Sequence, residues 1–299
     1  MSRLVKLGLI SEGTNTWPLY VAQALQLFER QGIEVEVTLT GSSVEQQEEL
    51  IRGGFDIGFQ QSDHVVRAVE RGADLFVFMP HGHAPELTLV AAPGIGAIGD
   101  LRGRTIAVDG ARTGYALLLR RLLQQEKLAE TDIVFKEFGG SRERYDALKS
   151  GAAVASLLNA PFDAQLLADG YTMLARMSER FPTYPGPVMA ARRSWARDHE
   201  QDLLAFIRAH DAAHEWLLDP AHADEALQAL PPRLNLARAA ALESLKNFAQ
   251  RRRPVISAAG LREVIDTVWQ AEGYTQAKGA PGKYMDLSYM QRALPARAA

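Results

Sequence analysis

Histidine is the side chain that titrates nearest neutral pH, so the first places to look for chemistry are those that set an imidazole beside a carboxylate or a second imidazole. Asp63 and His64 adjoin in QQSDH (60–64), His81 and His83 lie two apart in MPHGHAPE, and His210 and His214 lie four apart in HDAAH. The last spacing puts both rings on one helix face, as in a zinc protease. Asp211, however, stands where that motif carries glutamate and is one methylene too short to serve a metal-bound water. His81 and His83 would face one side of an extended segment, but a metal there needs further ligands, and the chain has no cysteine to supply them. His81 and His83 read as hinge-adjacent or cleft-edge histidines, and His210 and His214 as part of an amphipathic helix remote from the cleft; neither a metal nor a cofactor is expected. If the protein performs a reaction, His64, Asp63 and His81 are its acid–base candidates. There is no P-loop and no G-x-S-x-G elbow.

A second set of residues suits gripping rather than proton transfer. The stretch SEGTNTWP follows a short apolar run and precedes a helix; Glu12, Thr14, Asn15 and Thr16 offer hydrogen bonds, and Trp17 offers a flat apolar face. The competing reading is that Thr16 or Asn15 only caps the helix and Trp17 fills the core. Gln60, Gln61, Ser62 and His64 occupy a similar exit, where Ser62 or Asp63 can cap the next helix. In GARTGYA (110–116), Thr113, the Gly114 amide and Tyr115 could hold an anionic oxygen at a helix start. In NAPF, Asn159 reads as a donor and Phe162 as a wall. RRRP, Arg251 to Pro254, reads as a solvated helix end.

The elements that must position these groups alternate. Apolar patterning predicts strands over 4–10, 33–39, 55–59 and 75–79, with helices over 18–31, 43–52 and 63–71 between them. The pattern restarts with strands at 105–108, 133–137 and 153–158 and helices at 113–127, 141–149 and 162–168. After an apolar segment at 188–191, helices are predicted over 194–218, 224–230, 236–251 and 258–271. Such alternation implies mainly parallel sheets covered by helices, with ligands held at the carboxyl ends of the strands.

Composition fits that class: 299 residues, 47% hydrophobic and 23% charged. Thirty-three Lys and Arg against 36 Asp and Glu leave a net charge of −3, which gives no footprint for nucleic acid. No apolar stretch is long enough to span a membrane. The absence of a leader before the first strand suggests a cytoplasmic protein as the sequence is written, or a periplasmic one if a leader has been removed.

Four stretches carry a family resemblance: LYVAQALQLFERQGIEVEV, IRGGFDIGFQQSDHVVRAVERGADL, GGSRERYDALKSGAAVASLLNAPFDAQLLADGY and KYMDLSYM. Leu27, Phe28, Gly32, Ile33 and Val35 match one family phrase, and Gly54, Asp56 and Gly58 another. The chain resembles the type II periplasmic-binding-protein fold and, within it, the NMT1/THI5-like solute-binding proteins of importers for sulfonates, nitrate and pyrimidines. Where the family carries an acidic residue in a strand, this chain has Val154 and Ala155.

The resemblance implies two α/β lobes, residues 1–86 with 188–299 and residues 87–187, crossing near 85–92 and 185–191, with a helical C-terminal return. It implies a small-molecule ligand, anionic or aromatic, and an ABC permease as partner. The same fold also carries cytosolic lyases, which keeps an enzyme open as the alternative; a ligand sensor is a third. The missing thiol excludes a desulfinase of the cysteine type and the cysteine-rich synthase motif.

Overall fold

A computed structural model describes residues 3–82, 85–110, 113–250 and 254–295. His83, Ala111, Arg112, Arg251 to Arg253 and the last four residues lie outside them.

The predicted alternation folds into two five-stranded sheets. The first contains β1 (Arg3–Leu9), β2 (Ile33–Leu39), β3 (Ile57–Gln61) and β4 (Leu75–Pro80). The second contains β5 (Thr88–Ala91), β6 (Thr105–Val108), β7 (Val134–Glu137), β8 (Ala155–Leu158) and β9 (Thr172–Arg176). The chain then returns to the first sheet as β10 (Pro187–Arg192). The spatial orders are β2-β1-β3-β10-β4 and β7-β6-β8-β5-β9.

Both sheets are therefore mixed. β1 pairs in parallel with β2 and β3, and β6 in parallel with β7 and β8. The strand entering each sheet from the other, β10 or β5, runs antiparallel to both neighbours. Segments expected to be crossings thus supply strands: 85–92 contains β5 and 185–191 contains most of β10. β9 has no counterpart in the sequence pattern, because TMLAR is half exposed and does not alternate cleanly.

Local chemistry sets the helix boundaries. The helix predicted over 18–31 breaks in two, Trp17–Ala24 and Leu27–Arg30, where Gln26 adopts a left-handed φ of 54°. The one predicted over 194–218 breaks at His199 into Arg193–Asp198 and Glu200–Leu217. Ser42 caps the helix Ser43–Arg52 by accepting from the Glu45 amide at 3.2 Å. The C-terminal part is helical as expected, over Arg238–Gln250 and Ala258–Glu272 among others, and it rejoins the first sheet. There the Val77 amide donates to Tyr284 O at 2.8 Å and the Asp286 amide to Val77 O at 2.9 Å.

Trp17 belongs to this scaffold and not to the cleft wall. It is fully buried in the core between the first sheet and the helix Glu200–Leu217, with Leu19, Phe28 and Phe206. Its indole Nε1 donates to Ala226 O at 2.8 Å. At the first turn of its helix the ring points back into protein, so the core-filling reading holds. Trp17→Ala should cost about 3–5 kcal/mol of folding stability in the ligand-free protein, measured by urea unfolding; a Trp17 acting only as a ligand platform would leave that stability unchanged.

Candidate functional site

Each strand that runs parallel to β1 or β6 delivers its carboxyl end to one cavity of about 410 Å³, a size ordinary for a small-molecule site. β1 leads to Ser11 and to the turn carrying Thr14, Asn15 and Thr16; β2 leads to Ser43; β3 to Gln60, Gln61 and His64; β4 to His81. From the other sheet β6 leads to Asp109 and Tyr115, β7 to Ser141, β8 to Asn159 and Asp163, and β9 ends on Arg176. The antiparallel strands start at the same place, with Thr88 opening β5 and Pro187 opening β10. Ser244, Asn247 and Phe248 of the helix Arg238–Gln250 complete the lining.

Of the residues singled out in the sequence, Thr14, Asn15, Thr16, Gln60, Gln61, His64, His81, Tyr115 and Asn159 meet around this cavity. The others do not. Glu12 is held in a two-pronged ion pair by Arg233. Ser62 donates its hydroxyl to Pro185 O at 3.2 Å. Thr113 caps its helix by accepting from the Ala116 amide and donates to Asp109 Oδ1 at 2.5 Å. Phe162 packs in the second sheet's core with Leu158, Leu166 and Tyr145. Gly114 is spent on close approach, since a Cβ there would overlap the Asp63 carboxylate. Asp63 itself is buried and paired with Arg67, whose other nitrogen lies 3.6 Å from Glu272, so it is not available as an acid or base.

The helix Arg238–Gln250 of the helical return forms part of the wall, whereas Glu200–Leu217, which carries His210 and His214 and was expected to lie remote from the cleft, supplies no lining residue and stands behind it. Phe248 packs against His214 with the rings tilted and their centroids 4.9 Å apart, and the His210 ring lies 6.2 Å from His81. No group of three or more metal-ligating side chains occurs among the described residues.

Hydrogen bonding leaves the cavity wall with a defined character. Gln61 Nε2 donates to Tyr115 Oη, joining the end of β3 to the first turn of Gly114–Gln125 across the cleft. Burial, aided by the Asp109 charge, raises the Tyr115 hydroxyl, so it stays protonated. Thr88 Oγ1 donates to Asp163 Oδ2 at 2.8 Å, and Ser141 Oγ donates to Asn159 Oδ1. His64 and His81 are both buried. Burial lowers the His64 imidazole against the opposing charges of Asp63 and Asp109, and it pushes His81 down to about 3, with His214 adding in the same direction. Both rings are therefore neutral at pH 7. Among the described residues His64 Nδ1 and both nitrogens of His81 have no hydrogen-bond partner.

Several lining residues escaped the sequence reading. Ser43 and Ser141 sit at strand-to-helix exits of the kind that flagged Asn15 and Gln60, so the same rule finds them when applied to every exit. Asp163 lies one residue beyond the NAPF stretch. Arg176 and Thr88 belong to strands with weak patterns, and Ser244, Asn247 and Phe248 reach the cavity only through tertiary docking.

His81 makes the fold sensitive to acid. Its imidazole titrates near 6.5 when unfolded and near 3 when folded, so between those values only the unfolded chain binds the proton. The stability it contributes is complete above pH 6.5 and is lost as pH falls towards 3, at about 1.4 kcal/mol per pH unit. Between pH 6.5 and 5 the wild type should lose about 2 kcal/mol more than His81→Phe, read from urea midpoints at each pH.

Comparison with known proteins agrees with this architecture. The NMT1/THI5 like family model matches residues 13–223. The alkanesulfonate-binding protein SsuA of Xanthomonas axonopodis pv. citri, bound to MOPS, superposes with a TM-score of 0.77 at 19% identity, over 95% of this chain and 98% of that one. The periplasmic nitrate-binding protein NrtA of Synechocystis PCC 6803 does so with a TM-score of 0.82 at 13% identity, over 99% and 89%. A DszB mutant in complex with biphenyl-2-sulfinic acid follows with a TM-score of 0.71 at 15% identity, over 99% and 100%. No curated protein sequence matches. With two mixed sheets facing one cavity and a family match over more than half its length, the chain belongs to the NMT1/THI5-like family.

Proposed function

We propose that the protein is a solute-binding protein that closes on a small organic molecule and passes it to an ABC-type permease. In this reading residues 1–86 with 188–299 form one lobe and residues 87–187 the other, and the ligand sits between them. The observation that carries it is the cavity itself: strand ends from both sheets supply its wall, so the site is complete only when the two sheets face each other. The hydrogen bond from Gln61 to Tyr115 is the kind of contact that forms on closure.

The alternative reading is an enzyme on the same fold, which the likeness to DszB leaves open. Two features favour binding here. The chain has no cysteine, and Asp63, the carboxylate next to His64, is committed to Arg67. Neutral His64 and His81 suit hydrogen bonding to a solute.

Native mass spectrometry of protein purified without denaturation tests the reading directly, by showing whether a small organic molecule co-purifies. Incubation of that molecule with the protein should return it chemically unchanged; its conversion would make the protein an enzyme, with His64 and His81 as its proton carriers. Tyr115→Phe removes the acceptor for Gln61 and should weaken affinity for the co-purified ligand about tenfold while shifting the ligand-free melting temperature little. Equal affinity in titration calorimetry would show that this contact does not hold the closed form.

A further inference from the structure

Two buried glutamines behind the cavity wall have a fixed direction. Gln46, fully buried on the helix Ser43–Arg52, sends its Nε2 to Gly8 O at 2.8 Å and Phe59 O at 3.2 Å. Backbone carbonyls only accept, so this amide cannot turn round without setting oxygen against oxygen. Its Oε1 is thereby fixed facing Gln60. Gln60 must answer with its own NH2 group, and its Nε2 donates to Gln46 Oε1 at 2.7 Å. The chain of donors thus runs one way, from Gln60 to Gln46 to the carbonyls of β1 and β3.

It ends on an acceptor. Gln60 lines the cavity, is 1% exposed, and its Oε1 has no hydrogen-bond partner among the described residues. A buried carbonyl left unpaired is costly and uncommon. His81 in the same wall adds two nitrogens without partners.

The surrounding charges act in the same sense. Glu86, Asp109 and Asp163 line the cavity. The one Lys or Arg among the described lining residues is Arg176, whose side chain is half exposed and 3.8 Å from Glu179. The nearby Arg144 is turned to Gly139 O, Ser141 Oγ and, at 3.7 Å, Asp109.

From this geometry we infer that the end of the ligand seated against β3 is a hydrogen-bond donor, an N–H or O–H on a neutral or cationic head such as an amide, amidine or amine, received by Gln60 Oε1. A sulfonate or carboxylate head, which only accepts, is refused at this wall. The inference rests on the solute-binding reading and narrows its ligand class.

Four probes on one skeleton test it: benzamide and benzamidine as donors, benzoate and benzenesulfonate as oxyanions, each titrated at millimolar concentration and followed by melting temperature and calorimetry. The donors should bind at least tenfold more tightly than the oxyanions, and Gln60→Met should weaken the donors about tenfold while leaving the oxyanions unaffected. If Gln60→Met alone fails to fold, because Gln46 Oε1 loses its donor, Gln46→Leu combined with Gln60→Met leaves neither side-chain amide in place and should show the same loss. Oxyanions that bind as well as the donors, or donors indifferent to Gln60→Met, overturn the inference and leave the solute-binding reading standing. No binding by any of the four also overturns the inference, and the solute-binding reading is then decided by the co-purification experiment alone.

Discussion

A carboxylate is buried where helices from the two sheets meet, and the contacts across the cavity follow from how it is satisfied. Asp63 lies in the first turn of the helix Ser62–Glu70, and Arg67, one turn along, closes on it and reaches towards Glu272. Removing one partner from such a buried pair typically costs about 3–5 kcal/mol, because the other charge is left without an answer. Against the same carboxylate stands Gly114, the first residue of the opposing helix, and only a residue without a side chain fits there. The positive end of that helix is a favourable neighbour for the negative charge. The next residue, Tyr115, then arrives within reach of Gln61. Asp63, which read as a candidate acid, thus sets the spacing across the cleft.

The C-terminal helices hold that spacing from outside. Ala258–Glu272 packs on Ser62–Glu70, while Arg121 of the helix Gly114–Gln125 reaches Glu263 at 2.9 Å and Thr267 at 3.2 Å on it. Thr183, in the segment leading back to the first sheet, donates to the same Glu263 at 2.8 Å. A hydrophobic core follows the same route, running from Val65 and Val77 through Tyr184 and Trp269 to Leu119 and Ile106. Opening the cleft would therefore strain contacts on this helix, which makes the return a strut as well as a wall.

Most of the fold was legible because its signals are local. Strand and helix periods, caps and glycine breaks placed seven of the ten strands within a few residues, while β5 and β10 were taken for crossings. β9 was lost because an edge strand with both faces half exposed has no period to read. The site was legible for one reason: in a parallel sheet the strand ends converge, so polar residues after a strand are cavity candidates. That logic found Asn15, Gln60, Tyr115 and Asn159, and it failed at Trp17 and Phe162. An aromatic ring at a helix start can turn inward or outward with the same sequence, and here Ala226 and the core of Leu158 and Leu166 drew both rings inward.

What no sequence pattern carries is the direction of a hydrogen bond. Glutamine is a donor and an acceptor at once, and QQSDH says only that amides stand at the end of a strand. The direction comes from Gly8 O and Phe59 O, two backbone oxygens brought beside Gln46 by the parallel pairing of β1 with β3. Because they cannot donate, they orient Gln46, and Gln46 orients Gln60. Selectivity built this way needs no charge: a head group of the wrong kind leaves a buried oxygen facing another oxygen, a larger penalty than a poor fit of apolar surface. The packing of one sheet thereby writes a chemical preference into a cavity wall that composition alone leaves open.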